Sequence, residues 1–125
     1  MQAATVNLLA VGLGGALGTG SRILLSLAAL RLWDDYAFIG TLAANVLGAA
    51  LIGYLATRDM TARAKAMWMT GFCGGFTTFS LFSLEILVLF ERSSMLMLGY
   101  GAVSLVLWML GVWGGWRLGQ ASASP

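Results

Sequence analysis

Gly71-Phe-Cys-Gly-Gly-Phe-Thr-Thr-Phe-Ser-Leu-Phe-Ser83 sits inside a stretch, 66–84, that carries no charge and is long enough to span a bilayer as helix. At its centre the pair Gly74-Gly75 is followed by Thr77, Thr78, Ser80 and Ser83. Glycine relaxes the backbone, while Thr and Ser compete for main-chain hydrogen bonds, so the pattern predicts a helix broken near Gly74-Thr77. Backbone outside a helix survives at membrane depth only where protein buries it or water bathes it. The segment therefore points to a broken helix beside an ion or solute pathway. If the chain unwinds around the glycine pair, freed carbonyls and the negative pole of the first half-helix would suit a cation.

Working outward, charges divide the 125 residues into four apolar blocks with approximate spans 5–30, 36–57, 66–90 and 93–117. Each reaches the roughly 20 residues that a membrane-crossing helix needs. Hydrophobic residues make up 59% and charged residues 10%, with a mean hydropathy of +0.86, values that exclude an ordinary soluble domain. The expectation is an all-α integral membrane protein, one domain over 1–125, with short loops at 31–35, 58–65 and 91–92. A formal charge of +2 without a large basic cluster argues against a nucleic-acid partner. With no histidine, His-based metal sites and His general-base chemistry are excluded, and Cys73, the single cysteine, cannot form an internal disulfide. No catalytic constellation remains, so an enzyme is not expected. The N-terminus lacks a basic n-region and its apolar block is long, so it reads as a retained span rather than a cleaved signal.

Small residues recur four apart: Gly14 with Gly18, Ala44 with Gly48, Ala49 with Gly53, Gly71 with Gly75, Gly111 with Gly115. That spacing lets membrane helices approach closely. Packing within the chain accounts for most of it, but such faces on all the helices also suggest an oligomer. Trp33, Tyr36, Trp113 and Trp116 fall at block ends, where an interfacial aromatic belt would place them. Positive charge is only weakly asymmetric, with Arg58, Arg63, Lys65 and Arg117 on one side against Arg31 and Arg92 on the other. Termini-inside is favoured slightly, and insertion in both directions stays open.

Ionisable groups inside a membrane are functional by default. Arg22 either faces a partner or watery vestibule, or the helix ends near Ser21 and the side chain snorkels to the interface. Glu85 either shares a cavity with Phe79 or lies at the far interface. Asn45, mid-segment, has a buried hydrogen-bonding role or acts as interhelical glue. Phe79 and Phe82 share a helix face. Such a pair is ordinarily packing, but hydroxyls interleave with the rings, and Tyr100 and Ser104 add a polar stripe to the fourth block. Positive ring edges beside hydroxyls and an amide can solvate a small anion without a fixed charge that would trap it.

The run from Gly71 to Glu85 closely resembles the signature of the Fluc, or CrcB, fluoride channels. Gly-Gly-Ala-Leu-Gly-x-x-x-Arg ending at Arg22, and Gly40-Thr-Leu-Ala-Ala-Asn45-Val-Leu-Gly48, resemble family motifs as well. The resemblance implies a dual-topology homodimer, two antiparallel copies enclosing two fluoride pores in the cytoplasmic membrane of a prokaryote. It implies a structural sodium ion held by the backbone carbonyls of Gly74 and Thr77. It places the pore rings at Phe79 and Phe82, Asn45 beneath them, Ser80, Tyr100, Ser104 and Glu85 near the pathway, and Arg22 in the vestibule. Passive export of fluoride is the implied role. Leu81 departs from the hydroxyl residue common in relatives and receives no pore role; Cys73 reads as packing. Two other readings remain. One is a small dual-topology, proton-coupled multidrug exporter with Glu85 as the carrier carboxylate, although the first block contains no acid. The other is a non-transporting membrane subunit.

Overall fold

A computed structural model describes residues 2–34 and 38–122, the side chain of Ala3 excepted. Tyr36, expected in the aromatic belt, lies outside the described residues, as does the expected start of the second span. Among the described residues the regular elements are all helices, with no strand. In order they form α1 (Gln2–Leu32), α2 (Phe38–Leu55), α3 (Ala62–Lys65), a π-helical segment (Ala66–Cys73), α4 (Gly74–Phe76), α5 (Phe79–Arg92) and α6 (Ser94–Ala121). Four stretches are long and apolar enough to cross a membrane: Ala4–Leu32, Phe38–Leu55, Ala62–Arg92 and Ser94–Ala121. Leucines, valines and tryptophans stand exposed along α1, α5 and α6, the pattern of a surface solvated by lipid rather than water.

Helices run through much of what the charges marked as loops. Arg31 lies in α1, Arg63 and Lys65 in α3, and Glu91 and Arg92 in α5. Long basic side chains reach the interface from within a helix, so a charge marks the membrane edge and not the helix end. Ser93 alone separates α5 from α6. Its N–H closes α5 onto the Leu89 carbonyl at 2.8 Å, while its hydroxyl accepts the Leu96 N–H and starts α6.

Two helix pairings dominate: α1 against the π-helical half of the third span, and α2 against α6. The glycines explain both. A methyl at Gly71 would lie 2.6 Å from the Val11 carbonyl oxygen, and one at Gly14 would lie 2.9 Å from the Phe72 nitrogen. Backbone cannot yield to such a contact, so only glycine admits this approach. On the other pairing, a methyl at Gly111 would meet the Val46 oxygen at 2.9 Å and one at Gly53 the Trp116 nitrogen at 3.1 Å. The four-residue glycine spacing is thus consumed inside the protomer. Packing within the chain accounts for it.

Candidate functional site

The third span is interrupted, but not at its glycines. Gly74 and Gly75 are helical, and Thr77 (φ −85°, ψ 156°) and Thr78 (φ −150°, ψ 124°) are extended. Gly75 serves close approach: its Cα faces α1, where a methyl would lie 3.1 Å from the Gly15 carbonyl carbon. The threonines leave the helix because their hydroxyls offer the backbone other partners. Thr77 Oγ1 donates back to the Cys73 carbonyl at 2.8 Å, and Thr78 Oγ1 accepts the Leu81 N–H at 3.2 Å, capping α5.

A break at this depth must satisfy every backbone group internally. Asn45, buried on α2, does much of this. Its Oδ1 accepts the Thr78 N–H at 2.7 Å and its Nδ2 donates to the Thr78 carbonyl at 2.9 Å. On the other side, the Gly75 carbonyl accepts Arg22 Nε at 3.2 Å and Thr19 Oγ1 at 3.3 Å. Arg22 is half-buried within a helix that continues to Leu32, so the reading in which α1 ends near Ser21 is wrong. Its guanidinium lies where the half-helix ends and carbonyls concentrate negative charge.

The extended threonines take several carbonyls out of the helical ladder. In an unbroken helix the Thr78 N–H would bond Gly74 and the Leu81 N–H would bond Thr77. Asn45 Oδ1 and Thr78 Oγ1 take those two donors instead. The break therefore releases the carbonyl oxygens of Gly74 and Thr77 from the ladder, and that of Phe76 with them, since Thr77 and Thr78 between it and Ser80 are extended. Among the described residues, no cluster of acidic, Cys or His side chains could hold a metal.

Beyond the break lies an aromatic and hydroxyl cluster. Glu85, in α5, accepts Thr41 Oγ1 at 2.5 Å and the Tyr100 hydroxyl at 2.6 Å. Phe82 is buried against Tyr100 (5.5 Å between centroids) and packs in a T-shaped arrangement with Trp108 (4.8 Å). Ser104 is wholly buried, one turn along α6 from Tyr100. Phe79 lies 5.6 Å from Phe82 but is 68% exposed, so the two rings share a contact and not an environment. Ser80 is exposed, its hydroxyl 3.2 Å from that of Thr78. A cavity of about 350 Å³ opens beside the break, lined by Asn45, Gly48, Thr77, Thr78, Phe79 and Trp108 among others. Cys73 is buried at its wall.

The structure thus brings Asn45, Gly74, Thr77 and Phe79 to one cavity, and Phe82, Glu85, Tyr100 and Ser104 to the cluster behind it. Asn45 holds the break with its Oδ1 and one of its two Nδ2 hydrogens. Sequence reasoning missed Thr41 and Thr19. Thr41 stands four residues before Asn45, and Thr19 three before Arg22, so helical spacing alone put each on the face of a residue already singled out.

The family model described as CrcB-like protein, Camphor Resistance, matches residues 9–116. Over 106 residues the chain is 41% identical to the fluoride-specific ion channel FluC of Ruegeria sp., covering 82% of this chain and 80% of that one. It is 41% identical over 122 residues to the protein of that name from Rhizobium etli, covering 93% and 98%. The corresponding values for the Cereibacter sphaeroides protein are 39% over 112 residues, covering 87% and 90%.

Proposed function

Because this chain belongs to the CrcB-like family, we propose that it is a fluoride-specific channel carrying the anion passively out of a prokaryotic cell. The observation that carries this reading is identity near 40% over most of the chain with proteins named for that activity. It is a multi-pass membrane protein whose four apolar helices leave almost no mass outside the bilayer.

Fluoride must shed part of its hydration shell to enter, and protein donors must replace the lost water. The pathway runs beside Phe79 and Phe82, past Ser80, Ser104, Tyr100 and Glu85. Ring edges and hydroxyls meet the ion there without fixed positive charge that would trap it. The Glu85 carboxylate would repel an anion, and the hydroxyls of Thr41 and Tyr100 spread its charge by donating to it. Arg22 supplies vestibule charge while bonding the Gly75 carbonyl. Asn45 acts by holding Thr78 extended, which keeps the ring-bearing half-helix in place.

The freed Gly74 and Thr77 carbonyls fit sodium, a hard cation that takes backbone oxygens. The Gly74 and Thr77 oxygens would hold the ion, whose charge would offset their own partial negative charge. Two oxygens are fewer than a hard cation takes, and a second copy doubles the set. The exposed Phe79 and the cavity beside Gly74 suit the approach of that copy. The weak charge bias fits insertion in both directions, and with it the antiparallel homodimer that the family resemblance implies.

The test is ion efflux from liposomes holding purified protein. Fluoride should leave far faster than chloride, and exchange of sodium for a bulky organic cation during preparation should lower the flux. Equal fluoride and chloride rates reject the channel. Uptake of organic cations driven by a pH gradient would favour the exporter instead, and flux indifferent to sodium removes the structural cation.

A further inference from the structure

Among the described residues, the buried Ser104 Oγ and Trp108 Nε1 make no hydrogen bond. They stand one turn apart on α6 and so share a face. Phe82 packs on that face, its ring 4.8 Å from the indole at an interplanar angle of 69°. An indole N–H can only donate, and a buried donor left unpaired is costly enough to require an explanation. A second copy of the chain cannot supply its partner, because the nitrogen is already covered by its own protomer. Only a small species admitted by movement of the neighbouring rings can reach it. The indole also borders the cavity that holds Thr78 and Phe79, so the route to it begins at the break.

We infer that the Trp108 indole N–H is a hydrogen-bond donor to fluoride in transit, uncovered when the Phe82 ring turns, with the Ser104 hydroxyl as second donor. This rests on the fluoride-channel reading. Two neutral donors on one helix face offer a dehydrating anion partners without a counter-charge. They also favour fluoride, the stronger acceptor and smaller ion, over chloride. Phe82 then covers the donors between passages, which keeps the site from trapping water.

The test uses whole protein labelled with ¹⁵N at its tryptophan indoles, in detergent, with Trp108→Phe to assign the signal. The substitution keeps a flat ring beside Phe82 and removes the donor along with part of the indole's volume. The Trp108 indole signal should move on titration with sodium fluoride and stay in place with equal sodium chloride. Fluoride efflux through Trp108→Phe should fall about tenfold, as expected for a lost hydrogen bond to a charged partner, with the elution volume unchanged. An indole signal indifferent to fluoride in wild-type protein that conducts the ion overturns the inference; the N–H then only packs against a ring. Wild-type protein that fails to conduct fluoride sinks the channel reading itself. The titration uses wild-type protein, so the donor claim stays testable even if the variant folds poorly; in that case the signal is assigned by the milder Trp108→Tyr.

Discussion

Asn45→Ala removes the two hydrogen bonds that hold Thr78 out of the helix, at 2.7 and 2.9 Å, in a residue that is only 6% exposed. The loss has two bounds. Interhelical hydrogen bonds in a membrane average about 0.6 kcal/mol, because separated helices find other partners, so two give about 1.2 kcal/mol. A buried backbone group left unsatisfied costs about 1–3 kcal/mol, and here the Thr78 N–H is orphaned, while its carbonyl, at the N-cap, still accepts the first hydrogen bond of α5. Alanine leaves no side-chain donor or acceptor, so the expected destabilisation is about 1–3 kcal/mol. The assay is reversible unfolding in mixed micelles as the denaturing detergent is raised. Leu47→Ala serves as control, since Leu47 is on the same helix but 56% exposed. Fluoride efflux should fall as well, because Thr78 caps the helix that carries both rings. Asn45→Ala within about 0.5 kcal/mol of wild type, near the usual range for surface changes, would refute the reasoning. The break would then be held by something other than this amide.

Gly71→Ala should destabilise the protein by about 1–3 kcal/mol, the usual range for overpacking, because the added methyl meets the Val11 carbonyl oxygen at 2.6 Å. Gly12→Ala, with nothing within 4 Å, should be neutral or slightly stabilising in the same unfolding assay. At Glu85, Thr41→Val and Tyr100→Phe each leave the carboxylate one hydroxyl donor and should each lower fluoride efflux. The double variant leaves neither, so its loss should exceed the sum of the single losses; strict additivity would show that the hydroxyls do not act on one carboxylate.

Much of the site was legible because it lies on regular helices. Asn45, Arg22 and Glu85 stand out as polar groups in apolar blocks, and the helical repeat alone aligns Tyr100 with Ser104 or Phe79 with Phe82. The location of the break was less legible. The glycine pair and the threonines lie within a few residues of each other, and either can end a helix. Only the neighbours decide which does. α1 grips Gly75 within the helix, while Asn45 reaches across from α2 to take the Thr78 peptide. The glycine spacing is ambiguous for a similar reason. A four-residue glycine spacing says that something comes close, but not whether it belongs to the same chain.

Sequence alone determined the number of spans and their lipid-facing character, since hydrocarbon admits only long apolar stretches with internally bonded backbone. It also singled out the chemistry-bearing residues, because polar groups are too costly in that medium to be incidental. Tertiary structure decided which peptide groups are freed and which side chains take their place. Those choices depend on partners 33 and 53 residues away along the chain, brought within bonding distance only when the helices pack.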